Sequence, residues 1–138
     1  MKRSARFATV VPIVVLPFII LSFARPPWTP LRLLGLALAI SGFALLTIAR
    51  IQLGNAFSVT PQATTLVTHG IYRRIRHPVY VFGAIGIAGL VLYLDRPNWL
   101  ALLLVIVPIQ VVRSRQEERV LEERFGEEYR AYKRDTWF

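Results

Sequence analysis

Four apolar runs, separated by short polar segments, leave this chain few ways to fold. They occupy residues 7–24 (FATVVPIVVLPFIILSFA), 33–49, 79–94 and 99–112 (WLALLLVIVPIQVV). A helix rises about 1.5 Å per residue, so about 20 residues cross a hydrocarbon layer about 30 Å thick. With their flanks, the first two runs reach that length. The last two need Tyr93, Trp99 and snorkelling arginines at their ends, or a locally thinned bilayer. The charges fall between the runs, which leaves no polar helix face to solvate a soluble bundle. The expectation is an all-α integral membrane protein of one domain, with about four transmembrane helices at 7–24, 31–51, 78–94 and 99–112. A long cytoplasmic loop joins the second and third, and an amphipathic C-terminal helix lies in the tail 113–138.

The 17 Lys and Arg residues give a formal net charge of +9, and their placement predicts a topology. With the N-terminus inside, the inner segments hold three (Lys2, Arg3, Arg6), four (Arg50, Arg73, Arg74, Arg76) and seven from Arg113 to Arg134. The outer segments hold only Arg25, Arg32 and Arg96. By the positive-inside rule both termini and the 50–78 segment are cytoplasmic in a multi-pass protein, and the small size suggests a prokaryotic plasma membrane. MKRSAR followed by an apolar run and Ser22-Phe23-Ala24 also resembles a cleavable signal peptide. The run is longer than the usual apolar core of one, however, and a proline lies just past the candidate site. The chain has no cysteine and two histidines, which disfavours disulfides, thiolate chemistry and zinc. No metal and no nucleic acid is expected as a partner.

The connections carry their own signals. In Arg25-Pro-Pro-Trp-Thr-Pro30, Thr29 suits an N-cap and Pro30 the first helical turn. Asp95-Arg-Pro-Asn98 is short enough to make the third and fourth runs antiparallel neighbours. Residues 54–77 form a long connection of the kind that is usually functional, and Leu66, Val67, Ile71 and Tyr72 argue against disorder. GAIGIAG, with Gly83, Gly86 and Gly89, lies inside an apolar run and reads as a close helix–helix contact rather than a nucleotide loop. In the tail, Leu121, Phe125, Tyr129 and Tyr132 share a helical face. That predicts an amphipathic helix resting on the membrane, with the two tyrosines as interfacial anchors and Gly126 as an interruption.

Polar groups converge at the inner surface: Thr64, Thr65, Tyr72, His77 and Tyr80 from one side, Arg113 and Glu117 from the other. His77 precedes Pro78, so an extended His77 backbone and free N–H groups at a helix start are expected, a setting that favours an anion. A cation on the same ligand would meet Glu117. A basic patch on anionic headgroups is the competing reading of GIYRRIRHPVY, and a plain surface ion pair that of Arg113 and Glu117.

Two stretches are recognisable. LVTHGIYRRIRHPVY (66–80) and EERVLEERFGEEYRAYKR (117–134) together resemble the isoprenylcysteine carboxyl methyltransferase family and its relatives among phospholipid methyltransferases. The resemblance covers roughly the C-terminal half. It implies an integral membrane enzyme that binds S-adenosylmethionine in a cytoplasm-facing site and methylates a lipophilic acceptor, in the first place a carboxylate of the isoprenylcysteine type, with a phospholipid or small amine as the alternative. It assigns the cofactor to Thr64, Thr65, Leu66, Val67, Tyr72, His77, Pro78, Val79 and Tyr80, and the reaction site to Arg113 and Glu117. Set against the eukaryotic enzymes, a form without their additional N-terminal spans is expected. A non-catalytic membrane scaffold that keeps the fold is the alternative of another class.

Overall fold

The architecture is described from a computed structural model covering residues 27–54 and 66–138, with the isolated positions Leu16, Pro17 and Ile20. The first apolar run, the candidate cleavage site and Thr64 and Thr65 lie outside the described residues. Within them the regular structure is all helical, apart from one isolated bridge between Ile75 and Trp137.

Helix α1 (Pro30–Leu53) begins as the sequence expects. Pro30 stands in the first turn, and the Thr29 hydroxyl accepts the Arg32 N–H at 3.2 Å. It ends at Gly54, whose φ of 51° lets its N–H turn back to the Arg50 carbonyl. Arg32 lies inside the first turn and is buried. Its guanidinium stacks 4.9 Å from the Trp28 ring and 5.0 Å from the Tyr93 ring, and it donates to Pro27 O. The two rings offer their negative faces to a charge removed from water. Tyr93 is therefore wholly buried, not the interfacial anchor expected from its place at a run's end.

Helix α2 (Pro78–Tyr93) runs antiparallel to α1, and this pair forms the core. Gly35, Ala39, Gly42, Leu46 and Ala49, spaced three or four apart, make a narrow buried stripe on α1. Gly86 and Gly89 meet it from α2. A Cβ added at Gly42 would come within 2.5 Å of Gly86 N, and one at Gly89 would collide with the Ala39 backbone. The expected glycine contact exists and its partner is α1. Gly83 takes no part, since nothing lies within 4 Å of its Cβ position.

The third element is longer than expected. A 3-10 segment (Pro97–Leu102) leads without a break into α3 (Leu103–Phe125), so the helix does not stop at 112. No glycine or proline follows Pro108 before Gly126, and Arg, Glu and Gln propagate a helix well. Arg113 and Glu117 thus ride on the same rod as the apolar run. Gly126, with φ 53°, makes the expected interruption, and α4 (Glu127–Asp135) follows. As the short 94–96 turn requires, α2 and α3 are antiparallel. The apolar part of α3 nevertheless stands largely uncovered, with Leu104 78% and Ile109 61% exposed.

Among the described residues, two helical stretches are long and apolar enough to cross a membrane, Pro30–Leu53 and Pro97–Phe125. The 16 residues of Pro78–Tyr93 span only about 24 Å, short of a full crossing without thinning or tilted flanks.

The tail packs against the protein. Helix α4 folds back onto the segment before α2, and Tyr129, expected as an anchor, is fully buried. The Tyr132 hydroxyl donates to the Tyr72 carbonyl at 2.6 Å. Arg76 Nη1 donates to the carbonyls of Lys133 (3.0 Å) and Thr136 (3.2 Å), satisfying groups that a helix end leaves open. The aromatic face of α4 had a protein surface to cover, which its amphipathic pattern alone could not distinguish from lipid.

Candidate active site at the polar end of the helices

The ends of α1, α2 and α3 that carry Arg50, His77 and Glu117 meet the 66–77 segment and α4. A 3-10 turn (Gly70–Arg73) positions Tyr72 there. Gly70 has φ 62°, and a Cβ on it would strike the Gln52 side chain. That closeness lets Gln52 Oε1 accept the Ile71 N–H at 2.8 Å, pinning the turn to α1.

Tyr72 is 5% exposed, and its hydroxyl is buried with no hydrogen-bond partner among the described residues. Arg50, Glu117, Tyr80 and Tyr132 act on it electrostatically. Burial pushes its pKa above the ordinary phenol range, so it stays a neutral donor. Tyr132, also half-enclosed, is pushed up to about 12 by burial.

Across from Tyr72, the Tyr80 hydroxyl donates to Glu117 Oε1 at 2.5 Å. Arg113 Nε reaches the same oxygen at 3.4 Å, a long contact that leaves the guanidinium about one third exposed. One carboxylate, one phenol and one guanidinium therefore share a single point between α2 and α3, with Tyr72 nearby.

His77 departs from expectation in its surroundings. Its backbone (φ −122°, ψ 56°) lies between helical and extended values. Of the helix-start N–H groups expected to be free for an anion, those of Tyr80 and Val81 return to His77 O. The N–H groups of Arg76 and His77, just before the helix, donate to Phe138 O at 2.9 and 3.2 Å. The Thr136–Phe138 segment thus runs beside Arg74–His77 and bonds to it. The ring of His77 meets the edge of Phe138 at 5.8 Å and Tyr80 at 5.9 Å. Its Nε2 lies 3.2 Å from Glu118 Oε1, and burial lowers its basicity despite that carboxylate.

Glu118 is the residue that sequence reasoning missed. Oε2 accepts from Lys133 Nζ at 2.9 Å, and Oε1 also lies 3.2 Å from Arg76 Nε. The Arg76 Nε–H is not aimed at that oxygen, so the contact is charge–charge rather than a hydrogen bond. Burial disfavours the Glu118 charge, but Lys133, His77 and Arg76 outweigh it and hold its pKa below the usual carboxylate value. A signal was present: Ser114, Glu118, Leu121 and Phe125 follow helical spacing on an inward stripe, and a charge in such a stripe requires partners. Arg50, at the end of α1 and coupled to Tyr72, Tyr80 and Arg113, was likewise counted only for topology.

The structure thus brings together Tyr72, His77, Pro78, Tyr80, Arg113 and Glu117. Val79 sits in the same first turn of α2, part-buried. Leu66 and Val67 are part-buried in the non-helical segment leading to the 3-10 turn. No group of three or more His, Cys, Asp or Glu suited to a metal exists among the described residues.

A compact polar cluster thus stands at one end of a helical array in which two stretches are long and apolar enough to cross a membrane. Residues 29–128 match the phospholipid methyltransferase family. With most of its length covered by that match, the chain belongs to the phospholipid methyltransferase family, a family of membrane methyltransferases. Searches of curated proteins and of solved structures returned no match.

Proposed function

We propose that this protein methylates a lipid headgroup at the membrane surface, using S-adenosylmethionine held beside Tyr72, His77 and Tyr80. The observation that carries this reading is the buried Tyr72 hydroxyl, without a hydrogen-bond partner among the described residues and within electrostatic reach of Tyr80 and Glu117, which are bonded to each other. A buried donor without an acceptor costs about 1–3 kcal/mol, and a polar ligand would remove that cost. Two phenol rings and a carboxylate also suit a sulfonium, so the residues present fit the group. S-adenosylmethionine supplies an electrophilic methyl carried on that sulfonium. The residues leading into Tyr72, from Thr64 to Val67, and Val79 beside Pro78 complete the proposed cofactor contacts.

For the acceptor, the family favours a phospholipid amine. An amine is protonated in water and must lose a proton before it can attack, and Glu117 is the base within reach. Tyr80 holds that carboxylate in place, and Arg113, partly exposed beside it, supplies the positive charge that would meet the lipid phosphate. Alignment of donor and acceptor is the main demand of an in-line displacement, and a carboxylate fixed from two sides meets it. A second reading is supported by Arg113 and by the 66–80 and 117–134 motifs. An isoprenylcysteine-type carboxylate needs no base, only a cation to orient it. The arginine distribution supports a multi-pass protein with this site on the cytoplasmic side.

Labelled methyl transfer from S-adenosylmethionine to phosphatidylethanolamine and to a prenylcysteine, in nanodiscs, tests both readings. Product on the first acceptor supports amine methylation, and product on the second alone supports the carboxylate reading. Titration calorimetry with S-adenosylmethionine and its demethylated product tests the donor site. No saturable heat and no product would leave the scaffold reading.

A further inference from the structure

Two consecutive glutamates of α3 serve different layers of this end of the molecule. About 100° apart on the helix, Glu117 addresses Tyr80 and Arg113 while Glu118 addresses His77, Arg76 and Lys133. Glu118 is 16% exposed and ties α3 to two other parts of the chain, the segment before α2 and helix α4.

The contact with His77 has a chemical consequence. An ionised carboxylate only accepts hydrogen bonds, so the imidazole nitrogen 3.2 Å from it must carry the proton. A neutral imidazole has one N–H, so Nδ1 is left as the one acceptor the ring can offer a ligand. Phe138 and Tyr80 bracket the ring, which keeps it from turning Nδ1 towards Glu118 instead. The groups around His77 are Glu117 and Glu118 from α3, Arg76 beside it, Lys133 from α4 through Glu118, and Tyr80 one turn on.

We infer that Glu118 is a positioning residue for the methyl-donor site: it locks His77 in the Nε2–H tautomer, with Nδ1 presented as an acceptor. This rests on the donor-binding reading of His77 above. A carboxylate kept only to staple α3 to α4 would need Lys133 alone. The shared Oε1 contact to His77 is what the positioning role adds.

The test uses full-length protein with 15N-labelled histidine. The chain has two histidines, His69 and His77, so one His69→Gln variant assigns the ring signals. Wild type should show His77 as the neutral Nε2–H form at pH 7. Glu118→Ala should give a tautomer mixture and bind the demethylated donor product at least tenfold more weakly. Lys133→Met removes the other arm of the carboxylate. It should lower the Tm while leaving the His77 tautomer unchanged and the affinity within twofold. Where Glu118→Ala does not fold, Glu118→Gln serves, since an amide both donates and accepts and should also yield a mixture. A wild-type tautomer in the Glu118 variant, or affinity lost in both variants in proportion to Tm, overturns the inference. If wild type binds no donor, the donor-site reading fails, and the tautomer measurement still decides what Glu118 does.

Discussion

Tyr80, in the first turn of α2, donates its hydroxyl to Glu117 of α3 across 2.5 Å, and Arg113 touches the same carboxylate oxygen from one helical turn earlier. The two residues lie 37 positions apart in sequence and are joined by an antiparallel turn of the chain. Their bond is one of the few links between α2 and α3 and stands where the proposed chemistry takes place. Hydrogen bonds to charged groups are worth about 1.5–3 kcal/mol.

Tyr80→Phe should therefore reduce methyl transfer roughly 10- to 100-fold, the range that energy implies. Arg113→Ala should reduce turnover more than donor affinity. Rates with labelled donor, set beside calorimetric donor affinity for each variant, check both. Unchanged turnover in Tyr80→Phe would remove Glu117 from the reaction site.

Tyr72→Phe should act in opposite directions on two measurements. Without ligand it removes a buried, unpartnered hydroxyl, so thermal stability should stay level or rise by up to about 1 kcal/mol. Donor affinity should fall, because the group proposed to meet the ligand is gone. A parallel loss of stability and affinity would instead mean that the hydroxyl already has a partner in the free protein.

The α1–α2 contact should tolerate no added methyl group. At Gly35, Gly42 and Gly89 a Cβ would meet backbone atoms, which cannot swing aside. Alanine at any of these should cost about 1–3 kcal/mol or prevent folding. Gly83→Ala, with open space at the Cβ, should cost nothing. Melting temperatures in detergent for the four variants test the register of the two helices.

Acid should loosen the α3–α4 junction in two steps. Burial holds His77 below its ordinary value of 6.5, so the folded state binds fewer protons there than the unfolded one. Its contribution is complete above 6.5 and is lost as the pH falls through the lower folded value. Glu118 is held below its ordinary value of 4.5, so its contribution is complete above 4.5 and is lost at still lower pH. The Tm should fall as pH drops from 7 towards 4. A double variant His77→Gln and Glu118→Gln should show a flatter profile.

Much of this was legible in the residues. Thr29 and Pro30 announce the start of α1, Gly126 the break before α4, and Gly86 and Gly89 a close contact, because caps, breakers and missing side chains act locally. Tyr72, His77, Tyr80, Arg113 and Glu117 also drew attention through residue type and spacing. Which surface the amphipathic tail would cover was not legible. An aromatic stripe gains as much from a neighbouring segment as from lipid, and only the fold supplied that segment at Tyr72 and Arg76.

By itself the sequence determined the start of α1, the break before α4 and the set of polar groups at one end, since each depends on residues a few positions apart. Only the tertiary structure decided how those groups pair. It turned Tyr129 inward, gave the N–H groups before α2 to Phe138, and divided two adjacent glutamates between Tyr80 and His77. Such pairings set groups 37 to 62 positions apart against one another, and burial makes each partner obligatory.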